Sequence, residues 1–398
     1  MSVVYHALSA PGTSKVVGVP AFVWRSAFSS EIAQPPPNLI QVKEIGRVAG
    51  YHGCIVITLG RNAMANSIFF DRNINAIRRT VQASFALCTL VVGFQFYRFY
   101  LWSLGQGEYV ARPPAVEGFL PISALLSLKR LLLTGVFDPI HPAGLVIFMA
   151  ALTIAVVARK GFCGWICPVG FASHLVQWLG TRWRMVRVVP AWLAAVLGSC
   201  KYVLLGFFLY VILWRMDLAD ITAFLQTPYN LAADAKILQF FLAPSTLTLV
   251  ILAGLVVISL VVTNFWCRFL CPYGALLGLL ALLSPLRIKR DAETCIGCHR
   301  CDRQCPGGIT VSCKEVVHSP ECIGCLACVA VCPKQDCLSV QGPAKKKIEA
   351  WVLPAITVAI FLGFYGMALI SGRWHSQVPA ESFRQVYQVA EQLGHPNY

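Results

Sequence analysis

Five apolar runs, each flanked by Lys and Arg, organise the chain: residues 81–102, 142–157, 194–214, 247–266 and 350–370. Each approaches the roughly 20 residues that carry a helix across a bilayer. The second is short and is expected to extend into 162–166. A sixth run, 275–283, is too short to span and is expected to form a buried or interfacial helix. Residues 1–78 show no amphipathic period and are broken by Pro35, Pro36 and Pro37. They are expected to be a poorly structured extension, or to be untranslated if synthesis starts at Met64. The first 33 residues hold no apolar h-region, so no signal peptide is expected.

Composition points the same way. Of 398 residues, 57% are hydrophobic and 13% charged, against about 25% charged in a soluble domain. The formal charge is +15, from 33 Lys and Arg against 18 Asp and Glu. Because these basic residues flank apolar runs, the excess reads as cytoplasmic membrane loops rather than a nucleic-acid surface. Arg72, Arg78 and Arg79 precede the first run. Arg159, Lys160, Arg182, Arg184 and Arg187 separate the second from the third. Arg268, Arg287, Lys289, Arg290, Lys345, Lys346 and Lys347 separate the fourth from the fifth. The opposite loops are balanced or acidic, with Asp217, Asp220 and Asp234 against Arg215 and Lys236. The expectation is a multi-pass membrane protein in contact with lipid, its N-terminus cytoplasmic and its tail, 372–398, outside.

Cysteine usage adds the chemistry. Twelve of the seventeen cysteines fall in four compact motifs, which argues for metal ligands rather than disulfides. The strongest is Cys295-x2-Cys298-x2-Cys301-x3-Cys305-Pro306, repeated as Cys322-x2-Cys325-x2-Cys328-x3-Cys332-Pro333. Short spacings let three thiolates converge on one cubane while the fourth reaches the other cluster. Cys295, Cys298, Cys301 and Cys332 are therefore expected to hold one [4Fe–4S] cluster, and Cys322, Cys325, Cys328 and Cys305 a second. Gly297 and Gly324 suit the tight backbone that aims amides at sulfur. Residues 309–311 and 338–340 suit short strands. Zinc would need one set of four ligands rather than two in this order. Cys295-x2-Cys298-His299 matches a haem c attachment pattern, but Cys298 is needed by the run. Cys313 and Cys337 read as ordinary thiols. The fold class expected is mostly α: a polytopic membrane helix bundle of about five transmembrane helices with an inserted α+β two-cluster ferredoxin domain. Its parts are a membrane domain over 79–290, the ferredoxin domain over 291–342, a last transmembrane helix over 348–371, and the tail.

Two further motifs form a weak internal repeat, Cys163-Gly-Trp-Ile-Cys167-Pro168 and Cys267-Arg-Phe-Leu-Cys271-Pro272, each after an apolar run. In a helix, a spacing of four puts both thiols on one face, and Pro ends or kinks that turn. Two such pairs facing each other would make a four-thiolate metal site or two dithiol couples; otherwise they are buried reduced cysteines at helix ends.

These two motifs, followed by two complete ferredoxin runs and a last apolar helix, resemble the NapH/NosR-type membrane polyferredoxins over roughly residues 77–370. Residues 116–124 and the Asp138-Pro-Ile-His141-Pro-Ala-Gly144 turn resemble the NosR side. That side of the family begins with a flavin-binding domain, which nothing before the first apolar run matches, so no flavin role is expected. The resemblance implies electron transfer between the quinone pool, or a cytoplasmic donor, and a partner respiratory oxidoreductase on the periplasmic side, as a quinol dehydrogenase component. Alternatively, it implies an accessory protein for maturation or regulation of a metalloenzyme. In either case it implies a bacterial inner membrane and so a periplasmic tail. A quinol site wants a titratable group at the membrane edge. His141 and Asp138 are the candidates, with Arg98 either orienting a quinone carbonyl or snorkelling to headgroups. Lys201, inside the third run, is expected to face the bundle interior.

Overall fold

The computed structural model describes residues 52–187 and 189–394, with side chains from Asn73 onward apart from Ala344. The expectation for residues 1–51 lies outside the described residues. No proline occurs between Pro37 and Pro113, and the chain there forms one long helix, α1 (His52–Ser103). Residues 52–78 are thus helical, where the sequence reading expected poor structure.

Helix α2 (Pro121–Thr134) follows and ends on Gly135 in the left-handed region, φ 72°. Helix α3 (Pro142–Ala158) starts with Pro at its first turn. Then come α4 (Pro168–Arg182), α5 (Ala191–Leu209), α6 (Leu218–Leu225), capped reciprocally by Asp217 and Asp220, and α7 (Pro228–Leu231). Helices α8 (Ala233–Leu242) and α9 (Thr246–Val261) meet at a 79° bend, and α10 (Pro272–Leu280) completes this half.

Among the described residues three helical stretches are long and apolar enough to cross a membrane: Asn73–Ser103, Ala191–Arg215 and Val352–Ile370. The bent α8–α9 pair makes a fourth if it counts as one span. Helix α3 has 17 residues, roughly 25 Å at 1.5 Å per residue. It is the inner helix: Leu145, Ala151, Ile154, Ala155 and Ala158 are all fully buried. Its small residues allow close approach of α13 (Val352–Ile370), α2 and α10. The fourth apolar run leaves its helix at Val261 rather than Trp266, with Val262 extended at φ −113° and Asn264 turning the chain at φ 51°.

The inserted domain holds β1 (Arg287–Arg290), α11 (Arg300–Gln304), β2 (Val316–Val317), α12 (Ala327–Val331), β3 (Leu338–Gln341) and β4 (Lys347–Ile348). The sheet is antiparallel in order β2-β1-β3-β4, with Ile288 opposite both Val317 and Val340. Two expectations are corrected. The sheet begins at Arg287, ahead of 291. Residues 309–311 are not a strand: Ile309 and Val311 are core side chains, and the strand in that region is Val316–Val317. One apolar core joins this domain to the membrane half, taking Ile154, Ala158, Phe162 and Trp165 from one side and Ile288, Val317, Leu326 and Val340 from the other.

The tail is folded back onto the bundle. Helix α14 (Ala380–Gln388) buries Phe383 and Tyr387 against Phe96, Phe99 and Tyr100 of α1. Its apolar face is therefore already covered by its own chain.

Candidate redox centre

The eight ferredoxin cysteines line two separate recesses. One is walled by Cys295, Cys298, Cys301 and Cys332 together with Arg290, His299, Arg300 and Lys334, and Cys337, read from the sequence as an ordinary thiol, lines it as well. The other is walled by Cys305, Cys322, Cys325 and Cys328. Each recess takes three cysteines from one run and the fourth from the other, the crossed pattern of a two-cubane ferredoxin. Gly297 and Gly324 have φ 65° and 61°, values open to Gly at little cost. The Gly297 N–H, and next the Arg290 side chain, lower the Cys295 thiol below its ordinary range, whereas burial raises Cys325 and Cys328. Among the described residues no three Cys, His, Asp or Glu side chains close around one point as a single metal ion requires. The thiol donor sets of the two recesses suit iron–sulfur chemistry.

The second recess sits directly on the first Cys-x3-Cys-Pro turn. Trp165 Nε1 donates to the Gly324 carbonyl at 3.0 Å, and Trp165 is fully buried. The Gly164 Cα faces the Ile323 carbonyl so closely that no Cβ would fit between them. From α1, Arg78 Nε and Gln82 Nε2 both donate to the Gly164 carbonyl, at 3.1 and 3.0 Å. Arg78 also meets His174 Nε2 at 2.6 Å; burial and then the Arg78 charge push that imidazole down to about 3, so it accepts. From the second motif, Asn264 Nδ2 donates to the Pro306 carbonyl at 3.1 Å.

Each Cys-x3-Cys-Pro motif is one wide π turn, Phe162–Ile166 and Trp266–Leu270, rather than an α turn. Cys167 N donates to Phe162 O, and Cys271 N to Trp266 O, both at 2.9 Å. Such turns recur at functional sites. The second cysteine of each is the N-cap of the next helix, with Pro at its first position. Gly274 N donates to Cys271 Sγ at 3.2 Å, and the Gly170 and Val169 amides point at Cys167. The four thiols lie close enough for their charges to act on one another. Burial raises Cys167 and pushes Cys267 up to about 12. Two buried lysines join them. Lys160 acts on Cys163 and Cys267, and Lys201 Nζ reaches Glu321, next to Cys322, at 2.5 Å.

Comparison with known proteins bears on these motifs. A 4Fe-4S binding domain family matches residues 140–185 and 244–290, one Cys-x3-Cys-Pro motif in each. A 4Fe-4S dicluster domain family matches 287–333. "Ferredoxin-type protein NapH" of Haemophilus influenzae is 27% identical over 42% of this chain and 55% of its own length. "Regulatory protein NosR" of Pseudomonas aeruginosa is 29% identical over 39% of this chain and 21% of that protein. "Putative electron transport protein YccM" of Escherichia coli is 37% identical over 333 residues, 81% of this chain and 93% of that protein. The chain belongs to the NapH/NosR-type polyferredoxin family. It is a ferredoxin-type iron–sulfur electron-transport protein. No solved structure matches it.

On the far side of the helices this polyferredoxin holds a buried charge cluster that its sequence did not disclose. Arg112 bridges Glu117 at 2.7 Å and Asp234 at 2.6 Å, and stacks on Phe383 at 4.4 Å. Tyr387 donates to Asp234 at 2.7 Å, and Gly144 N to Glu117 at 3.1 Å. Burial would lower Arg112, but Asp234, Tyr387 and Glu117 outweigh it and hold the guanidinium above its ordinary value. His141 joins this cluster, its Nε2 donating to the Asn230 carbonyl at 2.9 Å and its Nδ1 3.6 Å from Glu117. Burial works against its charge, yet the Glu117 hydrogen bond and charge raise it above 6.5. Asp138 is also buried, accepting from Ser127 Oγ and the Ile140 amide. Arg98 is exposed and stands apart from both. The three quinol candidates are therefore not assembled into one open site. The only sequence sign of the cluster was the charge of Arg112, Glu117 and Asp234 beside apolar runs.

Proposed function

We propose that this chain is a membrane electron-transfer subunit holding two [4Fe–4S] clusters, one on Cys295, Cys298, Cys301 and Cys332, the other on Cys322, Cys325, Cys328 and Cys305. The observation that supports the reading is the pair of recesses, each lined by three cysteines of one run and the fourth of the other, the second seated on a Cys-x3-Cys-Pro turn. When bound, each cluster supplies a one-electron couple. The chain's own part is positional. Gly297 and Gly324 let the backbone wrap the thiols, Leu326 and Ala327 exclude water from the inner set, and Trp165 ties that set to the membrane half.

Cys163, Cys167, Cys267 and Cys271 form a third redox or metal site between the inner set and the bilayer. In this reading α1, α3, α5, the α8–α9 pair and α13 cross the membrane, with the cysteines on the cytoplasmic side and α14 on the periplasmic side; the basic loops support that orientation. On the membrane side the electrons are exchanged with the quinone pool or a partner respiratory oxidoreductase. A second reading, an accessory protein that matures or regulates a metalloenzyme, draws on the relative named "Regulatory protein NosR".

The test is anaerobic purification with iron analysis and EPR. About eight iron atoms per chain in two interacting cubanes are expected; iron below half of that would end the two-cluster reading. Signals raised by a menaquinol analogue favour the quinone-linked reading, and signals raised by dithionite alone favour the accessory one.

A further inference from the structure

The two ferredoxin runs share one cysteine spacing and differ in what lies between the cysteines. The inner run carries Leu326, Ala327, Val329, Ala330 and Val331. The outer run has His299, Arg300, Asp302, Arg303 and Gln304 at the same places. The backbones are equivalent: His299 and Leu326 have φ 54° and 59°, and each opens a five-residue helix, α11 and α12. Leu326 and Ala327 are 1% exposed, whereas His299, Arg300, Arg303 and Gln304 face water. The fold thus tolerates either chemistry, and the polar one is placed where something outside the chain can reach it.

The charge at that place has one sign. Arg290, His299, Arg300 and Lys334 line the outer recess, and no Asp or Glu does. The nearby carboxylates are engaged: Asp302 with Ser312 and His299, and Asp336 with Lys347. Asp291 and Glu293 are exposed on the preceding loop but do not line the recess. Among the described residues the side chains of Arg300 and Lys334 make no hydrogen bond or ion pair with the rest of the chain. Every wall of this recess comes from residues 290–338, none from the membrane helices. The rim is therefore not the part of the domain seated against the membrane half, which argues for a soluble partner over lipid headgroups.

We propose that this cationic rim docks a small acidic one-electron carrier protein of the cytoplasm, which exchanges electrons with the centre held by Cys295, Cys298, Cys301 and Cys332. The inference rests on the cluster assignment above and names its partner. One electron leaves the carrier's reduced centre and enters the oxidised outer centre; no bond is made or broken and no proton moves. Opposite charge steers such brief encounters and makes them salt-sensitive.

The test uses the full-length protein, purified anaerobically in detergent. An acidic [2Fe–2S] ferredoxin is the probe. Its oxidised form is followed by biolayer interferometry, and its reduced form by stopped-flow electron transfer. The rate constant should fall steeply with rising ionic strength. Arg300→Glu with Lys334→Glu should slow both association and electron transfer tenfold or more. Both side chains also line the recess, so reduction by a photoreduced deazaflavin, which needs no docking, is measured on the same variant. The loss with ferredoxin should exceed the loss with deazaflavin, and association of the oxidised ferredoxin should fall with it. A rate that is flat or rising with salt, or a double variant that binds like the parent, overturns the proposal. So does a variant whose only loss is binding to anionic phosphatidylglycerol vesicles. EPR of the dithionite-reduced parent separates the two layers: absent cubane signals fault the cluster assignment, whereas present signals with salt-independent transfer fault the docking alone.

Discussion

Gly164→Ala tests whether the inner cysteine set is seated on the membrane turn. A Cβ at Gly164 would approach the Ile323 carbonyl closer than 3.0 Å, a separation real Cβ atoms do not show. That oxygen is backbone, one residue from the carbonyl bonded to Trp165, so it cannot swing aside. Gly164 cannot retreat either, since Arg78 and Gln82 hold its own carbonyl. Overpacking of this kind costs typically about 1–3 kcal/mol. Placed on the seat, that cost lowers the seated population by about 5- to 150-fold. Hydrogen–deuterium exchange read by mass spectrometry should show amides over 320–328 exchanging faster by a factor of that order, with β1 and β3 unchanged. Gly93→Ala, where a Cβ meets nothing within 4 Å, should leave exchange as it was. Gly180→Ala, which strikes the Leu260 carbonyl, should loosen α4 against α9 and spare 320–328. Unchanged exchange over 320–328 in Gly164→Ala, or equal loosening there in Gly180→Ala, refutes the seating.

Three further outcomes are expected. Cys163→Ala with Cys267→Ala should abolish electron flow through the membrane half while leaving the EPR of both ferredoxin clusters intact; normal turnover would remove the redox role of that pair. Arg112→Gln leaves Glu117 and Asp234 buried without their cation, which should cost about 3–5 kcal/mol; a thermal midpoint in detergent equal to the parent's would contradict this. His141 is raised above 6.5 in the folded state, so the stability it contributes is complete below that value and is lost as pH rises through the folded value. Melting midpoints of the parent should therefore fall relative to His141→Gln as pH rises above 6.5, and parallel profiles would show that His141 does not titrate there.

Cysteine spacing is legible because ligand geometry is local. The eight thiols fall into the two crossed sets that the runs imply, and Gly297 and Gly324 take the positive φ that their place demands. Hydropathy marks the apolar helices because lipid acts on length and composition alone. It marks α3 as short, as it is, and that helix is shielded by protein and need not match the bilayer by itself; it overlooks the bend at Ala243, Pro244 and Ser245. The Arg112 cluster joins residues far apart in the chain, Glu117 with Asp234 and Tyr387, and single-sequence periodicity holds no record of such pairing. The π turns are hidden for a related reason. A spacing of four before Pro fits an α turn equally well; the i→i+5 bond forms where the first turn packs on residues 323–324 and the second beside Pro306 and Gly308.

Lys160 gives those turns a chemical reading. It is 3% exposed and makes no salt bridge with a carboxylate among the described residues. A buried ammonium without a counter-charge costs several kcal/mol. Lys201, also buried, has Glu321 as partner; the Lys160 charge acts on Cys163 and Cys267 as well as on the like charge of Lys201. Four neutral core cysteines would leave that cation uncompensated, and four thiolates around a metal or cluster would balance it. The Gly170, Val169 and Gly274 amides at the helix starts favour the same state, since helix N-termini stabilise thiolates. Lys160→Met then separates the two descriptions. Around inert core thiols it removes a destabilising charge and raises the melting midpoint. Around a thiolate centre it strips a counter-charge, makes the site harder to reduce and slows electron flow, with the ferredoxin EPR unchanged.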